Sequence, residues 1–140
     1  MIDRYREVLA SAFTPQAIYY FLSHSFKAEG LAMSAGCVTM VDAVAAGVIY
    51  TCSPVRAHQD CVLISSVYGL GKYLVDGRLT PDTFYVSRET GEIRKRTIAR
   101  KRVRLVLDPK GGTREEPVPR ELRRMSSVTD DQLRQLLEFA

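Results

Sequence analysis

The run from Cys61 to Val67, CVLISSV, constrains the fold more than any other stretch of this chain. It carries no charge, is rich in β-branched side chains and has no helical period. Such a run reads as a strand buried on both faces. Residues 46–51 (AGVIYT) are of the same kind. The small apolar stretch 32–41 (AMSAGCVTMV) is read with them as strand-like. Pro54 and the polar stretch from Arg56 to Asp60 read as a connection.

Further strands are expected at 83–88, 93–98 and 102–107. Glu89 to Glu92 separates the first two as a hairpin turn, with Gly91 supplying the positive φ such turns use. Asp108 to Gly112 is another turn. The Pro- and charge-rich segment from Glu115 to Ser127 reads as a surface connection.

Helical spacing appears at the two ends. Ile2, Tyr5, Val8 and Leu9 predict a helix over 2–10. Thr14-Pro15 is a start signal, because Thr14 can cap free amides and Pro15 has no donor to lose. That helix is expected to run to about Lys27, before Gly30. Thr129 and Gln132 have capping-box spacing, and Leu133, Leu136 and Leu137 follow. The fold class is therefore α+β, a mostly antiparallel sheet with flanking helices. Residues 1–140 read as a single partial domain. It has a helical lead-in at 1–30, a strand block at 31–114 and the start of a C-terminal helix at 128–140.

Composition excludes several classes. A 140-residue chain with 46% hydrophobic and 26% charged residues is ordinary for a globular domain. No run approaches the roughly 20 apolar residues of a membrane helix. The first residues have no signal-peptide core, so a cytoplasmic location is the expectation. Cys37, Cys52 and Cys61 form no CxxC pair, and His24 and His58 lie in no ligand pattern with them. No metal site of the zinc type is expected, and the thiols read as reduced and mostly buried.

Tyr68-Gly69-Leu70-Gly71 is the sharpest local motif. Two glycines one residue apart let the backbone approach a phosphate or another chain closely. A plain tight turn would have the same signature.

A longer series of segments is more specific. MVDAVAAGVIYTCSP, then VLISSVYGLGKYLVDGRLTPDTFYVSRETGEI, then VLDPKGGTREEPVP and VTDDQL, resembles the phosphoenolpyruvate synthase (pyruvate, water dikinase) family. More broadly, it is similar to the nucleotide-binding domain shared with pyruvate phosphate dikinases. SAFTPQAIYYFLSHSF is similar to the helix preceding those strands. The resemblance runs from about Ser11 to Leu137 in preserved order. It implies an ATP-grasp-like subdomain, cut from a larger enzyme that uses ATP, Mg2+ and pyruvate to make phosphoenolpyruvate. The partners implied are ATP, pyruvate or phosphoenolpyruvate, and the other domains of the same polypeptide.

Carried over residue by residue, the resemblance implies that Gly69, Gly71 and Lys72 face phosphates and that Val38 lines the adenine side. Two departures stand out. The family's glutamine in a VVVQxMV-like strand falls at Val38, which offers no hydrogen bond. The family's GLGE is here Gly69-Leu70-Gly71-Lys72, and an ammonium cannot ligate magnesium. The family's metal-binding acid and its glutamine–arginine pair are expected beyond the last helix, and its nucleotide-binding lysine in another lobe. No catalytic or metal-ligating residue is therefore assigned, and no cofactor is expected to be held tightly by this chain alone. A catalytically degenerate relative, acting as an interaction or regulatory module, is the alternative.

The net charge of +4 owes much to Arg88–Arg104. Ile93, Ile98, Val103, Leu105 and Leu107 interleave with the charges there, which suggests a hairpin with one apolar and one solvated face. No aromatic residue stands between Tyr85 and Phe139 to stack on bases, so nucleic acid is disfavoured as a partner.

Overall fold

The computed structural model describes residues 2–26, 32–51 and 61–140. The chain divides into two compact units, Met1–Met40 and Val41–Ala140.

In the first unit, α1 spans Ile2–Ala10 and a 3-10 turn follows at Ser11–Phe13. The helix α2 spans Pro15–Ser23. Thr14 Oγ1 accepts the Ala17 amide at 3.3 Å, and Pro15 occupies the first turn, as its spacing predicts. The helix stops earlier than the apolar pattern suggested. Ser25 takes a left-handed φ of 55°, the Ser25 amide donates to the Leu22 carbonyl, and the Phe26 amide donates to the Phe21 carbonyl at 3.0 Å. This is a Schellman closure, completed by an edge contact between the Phe21 and Phe26 rings. His24 sits at the cap with its ring 4.2 Å from that of Tyr20, a local packing role.

The expected strand over 32–41 does not form, and no strand appears among residues 32–44. Ala, Ser and Gly dominate its first half and have little strand preference of their own. Cys37 is exposed, contrary to the expectation of buried thiols, whereas Cys61 is buried. Cys52, Pro54 and His58 lie outside the described residues, as do Lys27 and Gly30.

The second unit is built on an antiparallel meander: β1 (Ala45–Tyr50), β2 (Cys61–Tyr68), β3 (Asp82–Ser87) and β4 (Ile93–Thr97). The register sets Ile64 opposite Phe84 and Val62 opposite Val86. These four side chains share one face and form the core with Leu133 of α4 (Asp130–Leu137). Burying each such side chain stabilises by about 1.5–3 kcal/mol. Cys61, Leu63 and Val67 alternate onto the opposite face and are buried too. β2 is therefore apolar on both sides, as its sequence requires. The capping box of α4 is present: Thr129 Oγ1 accepts the Gln132 amide and Gln132 accepts the Thr129 amide.

Between β2 and β3 lies the short helix α3 (Lys72–Val75). The β3–β4 turn has Gly91 at φ 69°.

The basic run does not form the hairpin expected of it. β4 pairs with β3, whereas β5 (Val103–Leu107) pairs with β6 (Thr113–Pro117) in a separate two-stranded sheet. The reason lies in the segment read as a surface connection. Its first residues supply β6, where Glu116 faces Arg104 in the register and pairs with it at 2.9 Å. Val118 and Ser127, in the same segment, are buried. Arg94, Lys95, Arg96, Arg100 and Arg102 are exposed as expected, but Lys101 is not.

Candidate functional site

The glycine turn follows β2 directly. Gly69 has φ 75°, a left-handed conformation that other residues rarely adopt. A Cβ placed there would stand 2.2 Å from the Leu105 carbonyl oxygen. The close approach lets the Leu70 amide donate to that carbonyl at 2.8 Å, while the Gly69 amide donates to the Val44 carbonyl at 2.8 Å. The turn thus ties β2 to β5 and to the lead-in of β1. Gly71 is tight as well, since a Cβ there would meet that of Ala46 at 3.3 Å.

Lys72 opens α3 and is largely exposed. Its Nζ lies 2.9 Å from Asp76 Oδ2, one helical turn away. Tyr73 is buried, donates to Glu115 at 3.3 Å and stacks under the Arg78 guanidinium, 4.2 Å from its ring centre. Gly69, Gly71 and Lys72 therefore form one turn. Val38 belongs to the first unit, in a segment without regular structure, and is 93% exposed.

Beneath the turn lies a polar network that sequence reasoning missed. Asp82 is fully buried and pairs with buried Lys101. Its Oδ1 also accepts the Ala99 amide at 2.9 Å, and its Oδ2 accepts both the amide and the hydroxyl of Ser127 at 2.8 Å. Lys101 donates additionally to the Ala99 carbonyl, and Ser66 lies 2.7 Å from the Ser127 hydroxyl. Tyr68 donates to the Ser126 carbonyl at 2.9 Å. Burial first, and the Asp82 charge second, push the Tyr68 phenol above its ordinary pKa. Every group is satisfied locally, so the network orders the strand ends around the turn rather than offering a reactive residue.

Cavities among the described residues of the second unit include the following three. One of about 160 Å³ is apolar, set between β1 and α4 near Ala46, Ile64 and Leu136. One of about 640 Å³ has mixed charge from Glu92, Arg96, Asp130 and Arg134. One of about 320 Å³ is lined by arginines. Gly69, Gly71 and Lys72 line none of the three.

Among the described residues no three His, Cys, Asp or Glu side chains gather where they could hold a metal ion. With Lys72 at the turn, magnesium does not fit the described residues there. A phosphate fits better. The Gly69 and Leu70 amides are committed to the fold. Among the described residues Lys72 is held by an exposed ion pair, worth about 0–1 kcal/mol and easily exchanged for another anion. No helix among the described residues is long and apolar enough to cross a membrane.

Comparison with known proteins adds a second line of argument. The sequence model of the pyruvate phosphate dikinase AMP/ATP-binding domain matches residues 1–140. The probable phosphoenolpyruvate synthase of Methanocaldococcus jannaschii is 34% identical over 134 residues, covering 96% of this chain and 11% of that protein. The probable phosphoenolpyruvate synthase of Methanothermobacter thermautotrophicus is 33% identical over 99% of this chain and 20% of its own length. The phosphoenolpyruvate synthase of Escherichia coli is 33% identical over 96% of this chain and 18% of its own length. The chain thus spans a fifth or less of each of these three relatives.

Proposed function

The chain belongs to the pyruvate phosphate dikinase AMP/ATP-binding domain family, and from that premise we propose that it is the nucleotide-facing lobe of a phosphoenolpyruvate synthase-like phosphotransferase. The parent polypeptide would use ATP and pyruvate, in the cytoplasm, with an ATP-grasp-like arrangement of lobes. The single observation that carries this reading is the match of the family over the whole chain. Within the second unit, Gly71 and Lys72 are the groups left to meet phosphate, with Gly69 holding the turn in place.

The lobe by itself supplies positioning. Phosphoryl transfer depends on enclosing and neutralising the phosphates from several directions. The described residues offer one exposed ammonium at the turn and no carboxylate cluster. The remaining catalytic groups, and the magnesium contacts, are assigned to other parts of the parent polypeptide.

A second reading is favoured by two features. Gly69 is fully accounted for by its contact with Leu105, and Lys72 already has Asp76. A relative that has lost catalysis and kept the fold as an interaction or regulatory module would look the same here.

Calorimetric titration of ATP into the parent polypeptide separates the two. On the catalytic reading, ATP binds and Lys72→Gln weakens it by about tenfold, the loss of one charge-assisted contact. Unchanged affinity removes Lys72 from the site. No binding at millimolar ATP by a folded protein favours the interaction module.

A further inference from the structure

The cavity of about 320 Å³ has four arginines as its described lining: Arg100, Arg120, Arg123 and Arg124. Sequence distance hides this grouping, since Arg100 follows β4, whereas Arg120 precedes the 3-10 turn Leu122–Arg124 and Arg123 and Arg124 lie within it. Backbone bonds bring the two segments together. The Lys101 amide donates to the Arg123 carbonyl at 2.9 Å, and the Val118 amide donates to the Arg102 carbonyl at 2.9 Å. Arg123 is fixed further, because its Nε donates to the Val118 carbonyl at 2.9 Å.

Four other arginines of the second unit are held by carboxylates. Arg96 pairs with Asp130, Arg104 and Arg114 with Glu116, and Arg134 with Asp131. None of the four lining the cavity has a carboxylate partner among the described residues. Glu121, in the same turn, neither lines the cavity nor makes an ion pair among those residues. Four guanidinium groups around one space repel each other unless an anion sits among them. Their planar forks match the oxygens of a phosphate better than any other common anion except carboxylate. The volume suits a small ligand. No aromatic side chain is among the described lining residues, so base stacking plays no part.

We propose that the cavity formed by Arg100, Arg120, Arg123 and Arg124 binds a small phosphate-bearing anion, at a place distinct from the glycine turn. The site uses none of Gly69, Gly71 or Lys72 and stands whether or not the nucleotide reading holds. The phosphate belongs either to a free anion or to the tail of a nucleotide.

The test is calorimetric titration of sodium pyrophosphate into the full 140-residue chain at low salt. Arg120→Gln with Arg124→Gln is compared with Lys95→Gln with Arg102→Gln. The two pairs remove equal charge, and all four positions are exposed. We expect the first pair to weaken binding by about tenfold or more, and the second to leave it within about twofold. Should the first pair fail to fold, judged by circular dichroism, the single variants are read instead. Repeating the titration with ATP assigns the source. A parallel loss means a nucleotide tail, and a loss confined to pyrophosphate means a free anion. Equal weakening by both pairs, or no binding by the unmodified chain, overturns the proposal.

Discussion

Asp82 and Lys101 face each other inside the second unit, with both side chains withdrawn from water. The pair links the start of β3 to the segment after β4. Ser127 extends the link to the approach of α4. An ion pair in such a place adds little net stability, but removing one partner strands the other. Lys101→Met is therefore expected to cost about 3–5 kcal/mol in chemical denaturation. Adding Asp82→Asn to it should recover part of that loss. A small effect of Lys101→Met alone would mean that Asp82 is satisfied without the ammonium.

The Gly69 backbone is similarly demanding. Alanine there would hold a left-handed φ, at about 1–3 kcal/mol, before any clash is counted. Its Cβ would also displace the Leu105 carbonyl. Gly69→Ala should lower the denaturation midpoint sharply, and more than Gly71→Ala, whose Cβ meets only the Ala46 side chain. Equal effects at the two positions would remove the β5 contact as the reason for the first glycine.

Tyr68 predicts an alkaline signature. Its folded pKa is raised, so the neutral phenol is the form the fold favours. That contribution is fully present below the ordinary value of about 10 and is lost as the pH rises through the folded value. Tyr68→Phe removes the hydrogen bond to Ser126 and should cost about 0.5–1.5 kcal/mol at neutral pH. The gap between the two proteins should narrow above about pH 10. A gap that stays constant from neutral pH through the alkaline range would contradict the account.

The parts of this fold that were legible from sequence are those decided locally. The α4 capping box, the Thr14-Pro15 start of α2 and the double-sided burial of β2 all follow from residues within a few positions of each other. Long-range pairing was not legible. Lys101 sits among arginines and looks like one more solvated charge, yet its partner is Asp82, 19 positions away. Thr113–Pro117 ends in proline and is polar, so it gave no strand signal, and its pairing comes from β5. The glycine turn was visible as a motif. The physical reason for Gly69, the Leu105 carbonyl, belongs to another sheet and left no local trace. The arginine cavity was hidden in the same way.

The central claim, that this lobe faces a nucleotide, is tested most directly by backbone NMR. Amide shifts of the labelled chain would be followed during titration with ATP at millimolar concentration. The account predicts weak binding with shifts at Gly69, Gly71 and Lys72. Shifts absent from the glycine turn, in a chain shown to be folded, would contradict it.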